Sequence, residues 1–216
     1  ADNDILSDTM TGGATGERDA SSVDPQKNQG NDVNGANESI ITTIRDPNTL
    51  HNFGPASSLD QTLYTSERPG GDPGAEGATI PASAVQDWIA FMKEKGIDRV
   101  LILLDDNELE CYDSPGLVQQ YRDAGLTVCH HPLNESGSVI AIRSVMESAE
   151  STGERVVAHC THGMGRSGRV AAGWLVMRHG LTPEVATKMA LESARERGME
   201  RMGNVPALKK WLGDLE

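Results

Sequence analysis

Residues 156–169 of the chain read VVAHCTHGMGRSGR, an apolar run that leads into a glycine-rich turn. Cys160 and Arg166 are separated by five residues, two of which are glycine. A turn of this kind between a strand and a helix points backbone N–H groups at a common centre, where the helix dipole also favours negative charge. The segment therefore predicts a phosphate-binding loop with a cysteine at its base.

The cysteine and the arginine of this loop have complementary chemistry. The loop amides, the helix N-terminus and Arg166 all favour the thiolate form of Cys160, which is the nucleophilic form. The guanidinium of Arg166 is planar and can hold two phosphate oxygens at once. We therefore predict that Cys160 attacks phosphorus while Arg166 and the loop amides hold the phosphate. The predicted phosphate-binding residues are Thr161, His162, Gly163, Met164, Gly165 and Arg166.

The chain around this loop alternates predicted strands and helices. Apolar runs predict strands at residues 61–66, 97–104, 126–131 and 155–159. Helical periodicity and capping residues predict helices at 81–96, 114–125, 139–153, 167–179, from 182 onward, and at 205–215. This order predicts an α/β fold with a mostly parallel central sheet flanked by helices, which binds ligands at the carboxyl ends of its strands. Cys160 lies at such an end.

With this context the chain resembles the Cys-x5-Arg phosphatases, the superfamily of protein-tyrosine and dual-specificity phosphatases. The likeness rests on the motif from His159 to Ser167 and on the segment from Tyr121 to Leu133, and it covers about residues 60–215. The chain most resembles the small dual-specificity protein phosphatases of the cyclin-dependent-kinase-associated type. The resemblance implies a dual-specificity phosphatase-like fold, and hydrolysis of phosphomonoesters through a phosphocysteine intermediate.

The same resemblance implies roles for residues flanking the loop. Ser167 would hydrogen-bond the cysteine sulfur and ease its departure in the second step. His159 would either pack beneath the loop or tune the thiol of Cys160.

The general acid is less clearly marked. In the family it is an Asp three residues after a Pro, and the matching position here is Glu135, after Pro132. The longer side chain of Glu135 changes its reach by about one bond length, and such displacements affect catalysis strongly. Asp105 and Asp106, at the end of the 97–104 strand, are alternative acids, although paired Asp residues there also form turns.

Composition limits the partners of the protein. Acidic residues outnumber basic ones by 32 to 19, which gives a net charge of −13. Such a field repels nucleic acid and anionic lipid. We therefore expect no nucleic-acid or membrane partner. The resemblance to the phosphatases implies a phosphorylated protein or a small phosphoester as the substrate, and we expect a monomer.

Cysteine usage bears on cofactors and compartment. Three cysteines are an odd number without metal-type spacing, so neither a metal site nor a disulfide framework is predicted. We expect no cofactor. A thiolate nucleophile requires a reducing compartment, and we expect a cytoplasmic protein.

Two parts of the chain differ in composition. Residues 1–39 contain no aromatic residue and are rich in Asp, Asn, Gly, Ser and Thr. Such a segment buries too little apolar surface to offset chain entropy. We predict a disordered acidic tail at 1–39 and a phosphatase catalytic domain at 40–216.

Two alternatives to a phosphatase stay open at this point. A phosphate-reading pseudophosphatase with little turnover would follow if Glu135 could not donate a proton. Sulfur or arsenate chemistry on a similar loop would require a resolving cysteine beside Cys160, and the sequence does not place Cys111 or Cys129 there.

Overall fold

A central sheet forms the middle layer of the computed structural model, which describes residues 40–74 and 77–215. Its five strands, in chain order, are β2 (Gly54–Ser57), β3 (Asp60–Glu67), β4 (Arg99–Ile102), β5 (Thr127–His130) and β6 (Val156–Cys160). The spatial order is β2-β3-β6-β4-β5, and every pair is parallel except β2 with β3. Two short strands, β1 (Ile41–Thr42) and β7 (Met202–Gly203), pair with each other. The predicted disordered tail at 1–39 lies outside the described residues.

Helices cover both faces of the sheet. On one face lie α1 (Ala82–Glu94) and α3 (Leu117–Asp123), and on the other lie α4 (Ser138–Thr152), α5 (Gly165–His179), α6 (Pro183–Glu196) and α7 (Val205–Leu212). A single turn, α2 (Asp106–Leu109), follows β4. Each face has its own hydrophobic core, so the molecule has three layers.

The alternation of side chains along β6 determines where the loop chemistry lies. Successive strand residues point to opposite faces of a sheet. Ala158 and Cys160 accordingly belong to the core beneath α4–α7, whereas Val157 and His159 face the α1 and α3 layer. Because β6 is the central strand, Cys160 lies at the middle of the carboxyl edge of the sheet.

The predicted α/β architecture with a mostly parallel sheet is confirmed. The predicted face of α1 is buried as expected at Val85, Trp88, Ile89 and Met92. Three boundaries differ: the ladder of β4 covers only 99–102, α3 begins at residue 117, and α5 begins at residue 165. Gly116 has a φ of 87°, which delays the start of α3, and the helical conformation of α5 already includes the second loop glycine.

Strand β2 was not predicted from the sequence. It contains Pro55, which cannot donate to a ladder and usually argues against a strand. Its place at the edge of the sheet explains the exception, because an edge strand has one unpaired side.

Candidate active site

The connection between β6 and α5 consists of four residues, 161–164. Within the described chain, no backbone N–H of residues 161–166 donates a hydrogen bond to another residue. Unpaired amides at the start of a helix, with the helix dipole behind them, form an anion-binding site. The structure thus offers the amide cradle that the glycine pattern indicates.

Gly163 allows this loop to pack against the end of β3. Its φ is 71°, in the left-handed region that side chains disfavour. A Cβ atom at this position would lie 2.6 Å from the backbone nitrogen of Glu67 and 2.6 Å from the carbonyl carbon of Ser66. Any other residue would therefore displace the loop from the sheet.

Cys160 and Ser167 meet at the base of the loop. The Cys160 side chain is nearly buried, and the Ser167 hydroxyl, fully buried in the first turn of α5, donates to its sulfur over 3.2 Å. A hydroxyl donor at this distance stabilises negative charge on sulfur.

Arg166 is held by a residue that the sequence analysis did not identify. Its two terminal nitrogens both donate to the carboxylate of Glu108, one of them over 2.7 Å. The guanidinium also contacts the Leu103 carbonyl at 3.1 Å and the Thr161 hydroxyl at 2.8 Å. The ion pair raises the pKa of Arg166, so this side chain is a fixed cation beside the loop.

Glu108 is in turn held in its ionised form. Burial opposes ionisation, but hydrogen bonds from Arg166, from the Asp105 backbone and from the Thr161 hydroxyl outweigh it and lower the pKa of Glu108 to about 2. Glu108 is thus a permanent anion that orients Arg166. The sequence does carry a signal for the helix turn that holds Glu108. Asp105 followed three residues later by Glu108 is the pattern of a capping box at a helix start.

That capping box also accounts for Asp105. Asp105 is the N-cap of α2: its carbonyl accepts from the Glu108 backbone N–H over 3.0 Å, and its own N–H donates to the Glu108 carboxylate over 2.9 Å. Asp106 is almost fully exposed, with its carboxylate 3.8 Å from Nδ1 of His130. Neither side chain lines the cavity above Cys160.

His159 lies on the opposite face of β6 from Cys160 and is completely buried. It packs against the rings of Trp88 and Tyr121, and its Nε2 is 3.2 Å from the Tyr121 hydroxyl. Burial lowers the pKa of His159 to about 3, with further lowering by the charges of Arg68 and Arg166. A neutral imidazole in this place supports the loop from beneath by packing and supplies no charge to the thiol.

The cavity above Cys160 has a volume of about 680 Å³. Two carboxylates line it, Glu108 and Asp72, and Asp72 lies 3.6 Å from Nε2 of the exposed His162. The other lining residues are Arg68, Cys160, Thr161, His162, Met164, Gly165, Arg166, Arg169 and Met202.

Glu135 is not among the residues that line this cavity. It lies on the loop before α4, in a neighbouring depression of about 470 Å³ that it shares with residues of α7. One residue, Arg169 of α5, lines both depressions. The structure therefore brings Cys160, Arg166, Ser167 and the loop together but leaves Glu135 beside them.

Across residues 40–74 and 77–215, no group of three or more His, Cys, Asp or Glu side chains is placed to hold a metal ion. Among the helices in that part of the chain, none has the length and apolar character needed to cross a membrane. All three cysteines are free.

The chain is similar in sequence to known phosphatases. Residues 76–180, from before α1 through α5, match a family described as "Polymorphic toxin system, DSP-PTPase phosphatase". The chain is 28% identical over 125 residues to cyclin-dependent kinase inhibitor 3 of Sus scrofa and 26% identical over 132 residues to that of Homo sapiens. These matches cover 56% and 59% of this chain, and 57% and 60% of the relatives, so the chain spans less than two thirds of their length.

Two solved structures share the fold. A kinase-associated phosphatase whose catalytic-site cysteine is replaced by serine aligns with a TM-score of 0.57 and 21% identity, over 71% of this chain and 86% of that one. Tk-PTP in its active form aligns with a TM-score of 0.53 and 23% identity, over 75% and 97% of the two chains. At these identities the likeness shows the phosphatase fold.

Proposed function

We propose that this protein is a cysteine-dependent phosphatase that hydrolyses phosphomonoesters, because residues 76–180 match the DSP-PTPase phosphatase family. The main supporting observation is the arrangement around Cys160. The Ser167 hydroxyl lies 3.2 Å from the sulfur, and Arg166 lines the same cavity. In this proposal the substrates are phosphorylated tyrosine, serine or threonine side chains of proteins.

The proposed reaction has two steps. In the first, a sulfur–phosphorus bond forms at Cys160 while the bond from phosphorus to the leaving oxygen breaks, and that oxygen takes a proton from a general acid. In the second, water attacks phosphorus, the sulfur–phosphorus bond breaks, and inorganic phosphate leaves. Ser167 assists the second step because its hydrogen bond stabilises the departing thiolate.

The transferred group is stabilised by fixed charge and backbone dipoles. The amides of residues 161–166 are unpaired within the described chain and are free to hold the equatorial oxygens. Arg166 supplies the positive charge, and Glu108 keeps its guanidinium in one orientation before substrate arrives. Preorganised donors of this kind cost no reorganisation at the moment of reaction.

We assign the general acid to Glu135. Glu108 cannot serve, because its pKa of about 2 and its ion pair keep it deprotonated. For Glu135 to donate, its loop must move toward Cys160 when substrate binds, as loops of this kind do in many enzymes. Asp72 is the competing donor, since it lines the Cys160 cavity directly.

Hydrolysis of p-nitrophenyl phosphate tests the nucleophile. The wild-type protein is expected to turn over this ester at the same rate with and without a chelator, and Cys160→Ser is expected to abolish turnover. Cys129→Ser is the matched control, because Cys129 is a half-buried cysteine on β5 of the same sheet, which β4 separates from β6. Turnover that persists in Cys160→Ser, or that is lost with the chelator, contradicts the proposal.

The general acid is tested with leaving groups of different basicity. Glu135→Gln is expected to slow a phosphoserine peptide far more than p-nitrophenyl phosphate, because only an alkoxide needs a proton in order to leave. The same comparison for Asp72→Asn tests the competing donor. A leaving-group dependence in Asp72→Asn and none in Glu135→Gln would move the role to Asp72.

Two features disfavour anionic lipids as substrates and so favour proteins. The loop interior THGMG contains no lysine, and the net charge of −13 disfavours approach to anionic membranes. We infer a reducing compartment from the free thiol that the chemistry requires. The cytoplasmic location and the monomeric state stay predictions.

A further inference from the structure

Arg169 is a cation without a partner in the described structure. It lies one helical turn after Arg166 on α5 and is half-buried. No described residue forms an ion pair with it or accepts a hydrogen bond from its guanidinium, and burial alone lowers its pKa. Holding a guanidinium partly out of water without a partner is unfavourable, so an arginine kept in this state indicates an anion that is absent from the protein itself.

The surroundings of Arg169 indicate where that anion would bind. Arg169 lies between the Cys160 cavity and the depression that contains Glu135 and Lys210. Lys210 is exposed and, like Arg169, forms no ion pair with a described residue. Two unpaired cations and one carboxylate thus share a depression, on a chain whose net charge is −13.

We propose that Arg169 and Lys210 form a second anion subsite, which binds a phosphate or carboxylate group carried by the substrate beside the phosphoryl group at Cys160. The inference rests on the proposed phosphatase function and names its substrate class. The substrate is a phosphopeptide with a second acidic group near the phosphorylated residue.

The helix spacing sets the separation of the two anions. Residues three apart on a helix have Cβ atoms about 5–6 Å apart, so Arg166 and Arg169 present their guanidinium groups on neighbouring parts of one surface. Two residues of an extended peptide span about 6.7 Å, and their side chains point to the same side. A second acidic side chain two residues from the phosphorylated one therefore fits both subsites.

The test compares two phosphopeptides that differ at one position. One carries Glu or phosphoserine two residues from the phosphotyrosine, and the other carries Gln there. For the wild-type protein, kcat/KM is expected to be roughly 10-fold or more higher for the doubly anionic peptide, the size of a charge-assisted hydrogen bond to phosphate or carboxylate. In Arg169→Gln this ratio is expected to fall close to one, and in Lys210→Gln by roughly 2- to 5-fold, because an exposed cation contributes less.

Arg122→Gln provides the matched control. Arg122 is an exposed arginine on α3, on the opposite face of the sheet, and its loss lowers the net charge by the same amount. The peptide ratio is expected to stay at the wild-type value in this variant. A ratio that falls equally in Arg122→Gln and Arg169→Gln would indicate general charge steering and overturn the subsite.

A binding measurement separates this inference from the proposed function. In the Cys160→Ser background, calorimetric Kd values for the two peptides are expected to differ by the same factor, and Arg169→Gln is expected to remove the difference.

If the wild-type protein hydrolyses p-nitrophenyl phosphate but has the same kcat/KM for the two peptides, the subsite is wrong and the proposed phosphatase function stands. If no ester is hydrolysed but the Kd difference is present and depends on Arg169, the subsite stands and the phosphatase is wrong. Arg169→Gln could also lower kcat/KM equally for both peptides and leave their ratio unchanged. That result would indicate that Arg169 pairs with Glu135, and it would overturn the proposal.

Discussion

Glu108→Gln tests whether a carboxylate outside the phosphate-binding loop controls Arg166. In the structure the Glu108 carboxylate accepts from both terminal nitrogens of Arg166 and from the Thr161 hydroxyl. A glutamine keeps one acceptor oxygen but loses the charge, and its amide donors face groups that are themselves donors. Arg166 would then be held by the Leu103 carbonyl, by Thr161 and by one uncharged oxygen of the glutamine.

The size of the effect follows from the charge-assisted hydrogen bonds that the glutamine cannot accept. A hydrogen bond to a charged group contributes about 1.5–3 kcal/mol, and about 1.4 kcal/mol is a factor of ten in rate. We expect kcat/KM for p-nitrophenyl phosphate to fall roughly 10- to 100-fold. The same loss of free energy in the unfolding equilibrium lowers Tm by about 3–12 °C in a domain of this size.

The pH dependence identifies the interaction. The pKa of Glu108 is about 2 in the folded protein against an ordinary value of 4.5, so its ionised form favours the folded state. That stabilisation is complete above about pH 4.5 and is lost as the pH falls through 2. The difference in unfolding free energy between wild type and Glu108→Gln is therefore expected to be constant near neutral pH and to shrink below pH 4.5.

Urea unfolding at several pH values, together with steady-state kinetics, provides the assay. Glu110→Gln is the control, because Glu110 is an exposed carboxylate two residues away and is expected to leave both quantities unchanged. The reasoning would be refuted if kcat/KM of Glu108→Gln stayed within twofold of wild type, or if its stability deficit did not change between pH 7 and pH 3.

Three further predictions concern the loop and the tail. Arg166→Lys is expected to nearly eliminate turnover of p-nitrophenyl phosphate, because an ammonium cannot reproduce the planar pair of donors; a kcat close to wild type would contradict the clamp. Gly163→Ala is expected to abolish activity and lower Tm, because its Cβ would lie 2.6 Å from backbone atoms. Gly71 also has a positive φ but has open space around it, so Gly71→Ala is expected to lower Tm by a smaller amount. The difference between the two variants separates the cost of backbone strain from that of the steric clash. Deletion of residues 1–39 is expected to leave Tm and small-ester hydrolysis almost unchanged, and a Tm drop of many degrees in a melting experiment would show that the segment packs on the domain.

The phosphate-binding loop and most of the elements around it follow from the sequence because they depend on local interactions. The apolar run of β6, the loop glycines and the helix that begins beside them specify one continuous piece of backbone, whose hydrogen bonds and dihedral angles are set within a few residues. Periodicity likewise identified the buried face of α1, because a helix repeats every 3.6 residues whatever it packs against. Cys160 and Arg166 were predicted as site residues in this way.

The partners of those residues depend on the order of the strands, which no local pattern encodes. Strand β4 lies beside β6, and this pairing brings α2 to the edge of the loop, so that Glu108 reaches Arg166 across a separation of 58 residues. Edge position in the same sheet allowed β2 to include Pro55. Glu135, the predicted general acid, shows the limit most clearly. A motif indicates this residue, but only the packing of α4, α5 and α7 places it in a separate depression beside Arg169. Backbone preferences act over a few residues, whereas charge pairing acts through space, and the tertiary fold alone decides which distant charges meet.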